Sequence, residues 1–349
     1  MSEIAIMGTT SWGETLGVVF AGNGRRVSLW ARTEAEASEI RDGRPWRGQL
    51  PAAVPPGLTA TASLSDALDG AAALILAVPS QTMRQNIRLA REYLTESMLV
   101  ISAAKGFELK TNKRMSQVIA EEIAPEFHAN ICVLSGPNLS REIIQGLPAA
   151  TVVAAASEAK AVKAQRLLST NNFCVYTNTD VVGVELGGAL KNIIALGAGM
   201  VEGLGFGDNT KAAFVTRGLI EIAALGVALG ASPLTFTGLT GLGDTIATCA
   251  SHLSRNHQVG LELAKGRSLQ EIGASLVGIA EGVNTTVAAR ALSREHGLGM
   301  PVTEKIYQVL FEGADPRQVV AEITSSEASH ELAGQNWEFS SFYKNPPSD

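Results

Sequence analysis

The sequence predicts an α/β chain in which an N-terminal Rossmann-type doubly wound sheet is followed by a mostly α-helical C-terminal domain. Three observations carry this prediction. Short apolar runs alternate with helix-like stretches up to about residue 180. A glycine turn joins the first apolar run to the first helix-like stretch. Beyond Asp180, strand patterns give way to long Ala/Leu/Ile/Gly segments. A length of 349 residues also suits two domains, drawn here as 1–180 and 181–349.

The elements follow in order. Ile4–Met7 reads as a strand, Gly8 as a turn, Trp12–Ala21 as a helix, Val27–Trp30 as a second strand and Glu34–Arg41 as a second helix. Pro51–Pro56 reads as a surface loop. Ala72–Val78 stops at Pro79 in the manner of a buried parallel strand. Gln81–Leu94 reads as an amphipathic helix, and Met98–Ser102, Ile131–Leu134, Thr151–Ala155 and Phe173–Tyr176 as further strands. The helical half comprises Val182–Val201, Lys211–Leu229, His257–Lys265 and Thr286–Arg294, and the polar tail Gln335–Asp349 is expected to be loosely held.

Composition narrows the function. The 28 basic and 34 acidic residues leave a net charge of -6, which argues against nucleic acid as a partner. The three cysteines, Cys132, Cys174 and Cys249, are far apart and form no CxxC pair, as expected of reduced thiols in a cytoplasmic protein. No signal peptide is read at the N-terminus. Val181–Val201 contains Glu185, Lys191 and Asn192, which makes a buried helix a better reading than a membrane span. The histidines show no metal-ligand spacing, so no metal site is expected.

Gly8-Thr9-Thr10-Ser11-Trp12-Gly13 lies between a strand and a helix, as the phosphate-binding turn of a dinucleotide fold does. Thr10 stands at the second glycine position, and Glu14 brings a negative charge to the same helix start, where it suits the dipole but opposes a pyrophosphate. At the end of the second strand, Ala31-Arg32-Thr33 places an arginine where a ribose 2′-phosphate would lie, which favours NADP(H) over NAD(H); Glu34 nearby blurs that preference.

Lys191 sits in an apolar helical segment, with Gly187 and Gly188 one turn away; these glycines are expected to leave space beside it for a ligand. A lysine is mostly protonated at neutral pH, and burial beside other cations turns it into a usable acid and base. Lys105-Gly106 and Gly136-Pro137-Asn138 follow strand ends, where open α/β sheets bind ligands. Gly238–Asp244 is a glycine-dense turn closed by an acid, and Ser254-Arg255-Asn256 offers hydroxyl, guanidinium and amide donors suited to a phosphate. Singly, each is as readily a surface or capping group.

Taken together, these stretches resemble bacterial-type NAD(P)-dependent glycerol-3-phosphate dehydrogenase. The resemblance runs from about residue 4 to residue 335 and rests on Gly183–Asn192, Gly207–Ala213, Thr216–Gly218, Gly238–Asp244 with Thr248-Cys249, Ser254–Asn256 and Glu281-Gly282. It implies a dinucleotide-binding domain at 1–180 and a helical substrate-binding domain at 181–349. Lys191 becomes the proton acceptor for the C2 hydroxyl of sn-glycerol 3-phosphate. Lys105, Gly136, Asn138, Asp244, Ser254, Arg255 and Asn256 become the rest of the substrate shell. Gly8, Ser11, Trp12, Gly13, Arg32, Thr33, Ser140, Ile279 and Glu281 become cofactor positions, with Lys105 and Arg255 shared. The product would feed glycerophospholipid synthesis in the cytoplasm, and a homodimer is left open. Asn138 departs from the family's usual hydroxyl residue, as Thr10 and Glu14 depart at the turn. Two other readings stand beside it: a Rossmann dehydrogenase acting on a different hydroxy compound, and a non-catalytic NADPH-binding regulatory protein on the same fold.

Overall fold

The computed structural model describes residues 3–43, 54–275 and 280–325. Strands β1 (Ile4–Met7), β2 (Val27–Trp30), β3 (Leu58–Thr61), β4 (Ala73–Leu76) and β5 (Leu99–Ser102) come first. A short hairpin of β6 (Phe107–Glu108) and β7 (Lys113–Arg114) follows, then β8 (Ile131–Ser135), β9 (Ala149–Ala155) and β10 (Phe173–Asn178). Eight strands form one sheet in the order β10-β9-β8-β5-β4-β1-β2-β3. Every neighbouring pair is parallel except β8 with β9.

The apolar runs are continuous because both faces of the sheet are covered. Ile4 and Ile6 point into one hydrophobic cluster with Leu29 and Ile75, whereas Ala5 and Met7 point into another with Leu74 and Leu76. From β1 the chain winds outward through β2 and β3, then returns to place β4 on the other side of β1. The carboxyl ends of β1 and β4 therefore border the switch point, where a doubly wound sheet opens a crevice.

The sequence reading missed β3 and the hairpin, and one expectation changes in detail. β3 is a half-buried edge strand whose sequence, LTAT, is too polar to read as a core run. The hairpin strands have two residues each, too few for any periodicity. The helix expected over Gln81–Leu94 is a 3₁₀ turn (Ser80–Thr82), an α-helix (Met83–Ala90) and a second 3₁₀ turn (Arg91–Tyr93). Part of the Pro51–Pro56 loop and all of the Gln335–Asp349 tail lie outside the described residues.

After β10, Asp180 caps the 23-residue helix Val181–Gly203, accepting from Gly183 N at 2.8 Å. This helix is long and apolar enough to cross a membrane, but 89% of its most apolar window is buried inside the protein. It forms the axis of the helical half, packed against Asp208–Ala228, Asp244–Ala250, Arg255–Ala264 and Glu281–Glu295. Glycine sets the closest crossing. A Cβ on Gly260 would stand 2.0 Å from the Leu196 carbonyl oxygen, and one on Gly199 would stand 2.1 Å from that of His257. Glu185 ties the same helix to the sheet half, accepting from Ser116 N at 2.7 Å and from Arg114 Nη1 at 2.5 Å.

Glu221 holds the start of helix Pro301–Phe311, accepting from Val302 N at 2.6 Å and Thr303 N at 3.1 Å. Burial outweighs these donors and lifts its carboxyl from 4.5 to about 7. The folded state binds this proton more tightly than the unfolded chain does. The resulting stability is complete below about pH 4.5 and is lost as pH rises through about 7. The shift is equivalent to about 3 kcal/mol. Thermal midpoints of the wild type should therefore fall between about pH 5 and pH 8, and Glu221→Gln should remove that part of the slope. Equal slopes in the two proteins would rule out Glu221 as its source.

Candidate active site

The glycine turn is built by close approach. Gly8 adopts φ +118°, and a Cβ there would lie 2.4 Å from the Ala77 carbonyl oxygen, just past β4. A Cβ on Gly13 would lie 1.9 Å from the Gly8 carbonyl oxygen. Thr10 fits in place of a glycine because its hydroxyl is turned inward. It donates to Ala77 O at 2.9 Å and accepts from Gly13 N at 3.3 Å, capping helix Ser11–Gly22. Glu14 is fully buried and so is not presented at the open side of the turn. A left-handed glycine followed by a capped helix start at the switch point is the cradle that a dinucleotide's pyrophosphate needs, so the residues present fit that group. Ser11 opens this helix and Trp12 packs edge-on against Phe173, with ring centres 6.3 Å apart.

At the end of β2, the Arg32 side chain is 66% exposed, with Nε 3.7 Å from Glu36 Oε2. The acid that stands at this strand end is Glu36, not Glu34. Glu36 is buried and accepts from Arg32 N at 3.0 Å and from Thr9 Oγ1. Glu34 pairs instead with Arg41 at 2.5 Å. Thr33 caps helix Glu34–Arg41 through Glu36 N at 3.2 Å.

Across the crevice, two lysines share one carboxylate. Lys191 Nζ donates to Asp244 Oδ1 at 2.6 Å and to Thr248 Oγ1. Lys105 Nζ donates to Asp244 Oδ2 at 2.6 Å and to Gly136 O at 2.7 Å. Three regions distant in sequence supply these groups: the turn after β5, the middle of helix Val181–Gly203 and the start of helix Asp244–Ala250. Lys191 is 5% exposed and Asp244 is 1% exposed, so the pairing is almost dry. Burial lowers the Lys105 ammonium to about 8, against the opposing pull of Asp244, and the Lys191 charge adds to the fall.

The glycines beside Lys191 do not leave ligand space, contrary to the sequence reading. A Cβ on Gly188 would stand 2.1 Å from Ser135 Oγ, and one on Gly187 would stand 2.9 Å from Thr240 O. They admit the ends of β8 and the Gly238–Asp244 turn against the helix, which fixes its distance from the sheet. Thr240 Oγ1 completes the contact, bonding to Ser135 Oγ at 3.1 Å and Val184 O at 2.8 Å.

The remaining predicted positions fall into two groups. Gly136, Asn138 and Ser140 follow β8, where Asn138 Nδ2 donates to Thr151 Oγ1 at 3.0 Å and its buried Oδ1 has no partner among the described residues. Ser254 caps helix Arg255–Ala264 through His257 N at 3.2 Å. Asn256 donates to Asn192 Oδ1 at 2.9 Å and accepts from Gly282 N at 2.9 Å. Glu281 clasps the turn after β4, accepting from Ser80 N at 3.1 Å and Ser80 Oγ at 2.7 Å, and burial raises its carboxyl above the ordinary range. Ile279 lies outside the described residues.

Comparison with known proteins gives this constellation its context. The model of the NAD-dependent glycerol-3-phosphate dehydrogenase N-terminus matches residues 3–161, and that of the C-terminus matches residues 180–321. The chain belongs to the NAD-dependent glycerol-3-phosphate dehydrogenase family. A glycerol-3-phosphate dehydrogenase [NAD(P)+] of Dehalococcoides mccartyi is 58% identical over 346 residues, covering 99% of this chain and 96% of that one. One from Moorella thermoacetica is 46% identical over 336 residues, covering 96% and 99%. The solved glycerol-3-phosphate dehydrogenase of Coxiella burnetii superposes with a TM-score of 0.84 at 32% identity, covering 92% of this chain and 98% of that one.

The sequence motifs assigned no role to several groups that meet around this cluster, including Thr248, which entered only as part of the Thr248-Cys249 match. Thr248 lies four residues after Asp244, a helical spacing that puts both on one face beside Lys191. Asn192 closes the Gly183–Asn192 stretch without a role of its own, and Ser80, Ser135 and Glu36 belong to no motif; each is recognisable once its partner is in place.

Proposed function

We propose that the protein interconverts sn-glycerol 3-phosphate and dihydroxyacetone phosphate with NAD(P), supplying glycerophospholipid synthesis in the cytoplasm, with residues 1–180 holding the dinucleotide and 181–349 the substrate. The buried Lys191–Asp244–Lys105 cluster carries this reading. Two ammonium groups on one carboxylate leave an excess positive charge in a nearly dry site, which suits a small anionic substrate. A bound nicotinamide supplies or accepts the hydride. Lys191 Nζ delivers a proton to the C2 oxygen in the direction of reduction and removes it in the direction of oxidation. Asp244 and Thr248 hold that nitrogen in place. Lys105, Ser254, Arg255 and Asn256 bind the phosphorylated end, with Gly136 and Asn138 alongside, and the Arg255 guanidinium offers a two-pronged donor. Gly8, Ser11, Trp12, Gly13, Thr33, Ser140, Ile279 and Glu281 form the nucleotide shell.

The decisive assay follows NADPH absorbance with purified protein and dihydroxyacetone phosphate, then repeats the measurement with NADH. Oxidation dependent on dihydroxyacetone phosphate supports the assignment. Its absence in folded protein over a wide cofactor range would instead leave the non-catalytic NADPH-binding reading. Arg32 is proposed as the 2′-phosphate contact that makes NADP(H) the preferred cofactor. Arg32→Ala should raise the KM for NADPH about tenfold or more, the scale of one lost charged hydrogen bond, and leave the KM for NADH nearly unchanged. A parallel change for both cofactors would exclude the contact.

A further inference from the structure

We propose that Glu202, His252 and His257 form a binding site for a borderline divalent cation of the zinc type, separate from the Lys191 site. Contrary to the sequence reading, His252 and His257 do stand at a ligand spacing, H-x4-H, and the third ligand comes from another helix fifty residues earlier. Glu202 lies in the last turn of helix Val181–Gly203, His257 in the first turn of helix Arg255–Ala264, and His252 in the connection that precedes it. The tight glycine crossing of these two helices brings the three side chains together.

The donor atoms lie within 4.8 Å of one another. His257 Nε2 is 3.2 Å from Glu202 Oε2, and His252 Nδ1 is 3.9 Å from Glu202 Oε1. Ligands of a tetrahedral zinc ion stand about 3.4 Å apart, so small side-chain rotations suffice. The chemistry also fits. Two imidazoles and a carboxylate form a borderline donor set that zinc favours over calcium or magnesium. His257 is fully buried, with its Nε2 facing the Glu202 carboxylate. Glu202 is held ionised by Lys211, which lies 2.5 Å from Oε2 and is the cation an incoming metal must displace or share with. The His252 side chain is 77% exposed and leaves the site open to solvent, with water completing the coordination. A bound ion would join the two helices and fix the connection that leads into Ser254 and the helix start at Arg255.

The test is zinc binding to the full chain, measured by competition with a chromophoric chelator and by the visible absorption of cobalt in its place. A Cys174→Ser background removes the exposed thiol as a rival ligand. One ion per chain is expected, with a four-coordinate cobalt spectrum. His252→Ala alters an exposed side chain and should fold normally; it and Glu202→Gln should each weaken binding about tenfold or more. Lys211→Ala should strengthen it by removing the competing cation. Zinc retained equally by His252→Ala and the parent protein, or no stoichiometric zinc in the parent, overturns the proposal.

Discussion

Replacing Lys191 with Ala lowers kcat by about two to four orders of magnitude, the usual contribution of a placed acid and base, while equilibrium NADPH binding stays close to that of the wild type. The two readouts separate because Lys191 belongs to the middle of helix Val181–Gly203, whereas the phosphate cradle is built by Gly8, Gly13 and the start of helix Ser11–Gly22. Folding should survive the change. Removing the Lys191 charge leaves Asp244 still paired with Lys105 at 2.6 Å, so no lone carboxylate is stranded in the interior. Lys191→Met repeats the test with the side-chain volume kept. Steady-state turnover and a fluorescence titration with NADPH measure both effects; near-normal turnover in either variant would remove Lys191 from the proton-transfer role.

Much of this arrangement was legible from sequence, for physical reasons that also explain the failures. β1 and β2 were read at their observed bounds because parallel strands covered on both faces must be apolar throughout. Glu34–Arg41 was read as a helix from its polar character after the second strand, and the structure adds the Thr33 cap that the sequence reading did not use. β3 escaped because an edge strand needs to bury only one face. The chemistry-bearing residues Lys191, Lys105, Asp244 and Gly136 were each recognisable, yet nothing local states that two lysines meet on one carboxylate. That juxtaposition depends on packing between segments up to 139 positions apart. The glycines beside Lys191 show the limit of local reasoning. A missing side chain signals a close approach, but the sequence cannot say whether ligand or protein fills it; here Ser135 and Thr240 do. Likewise, Thr10 looked like damage to a glycine motif until its inward hydroxyl revealed a helix cap.

The second large effect falls on Asp244. Asp244→Asn leaves the Lys191 and Lys105 ammonium groups facing each other across a neutral amide in a site where the aspartate is 1% exposed. Breaking a buried charge cluster by removing its counter-ion costs about 3–5 kcal/mol, because the remaining charges keep their desolvation penalty and lose their compensation. Asp244 is also the group that opposes the burial-driven fall of Lys105 to about 8, so its removal pushes that lysine lower still. The variant should lose thermal stability and turnover together, unlike Lys191→Ala, which spares stability. Adding Lys105→Met to Asp244→Asn relieves the repulsion, so the double variant should be more stable than the sum of the single effects predicts, by about 0.5–3 kcal/mol. Denaturant unfolding of the four proteins closes the cycle. Strict additivity would mean that Asp244 and Lys105 do not compensate one another in solution, and the excess positive charge proposed to receive the phosphorylated substrate would lose its basis.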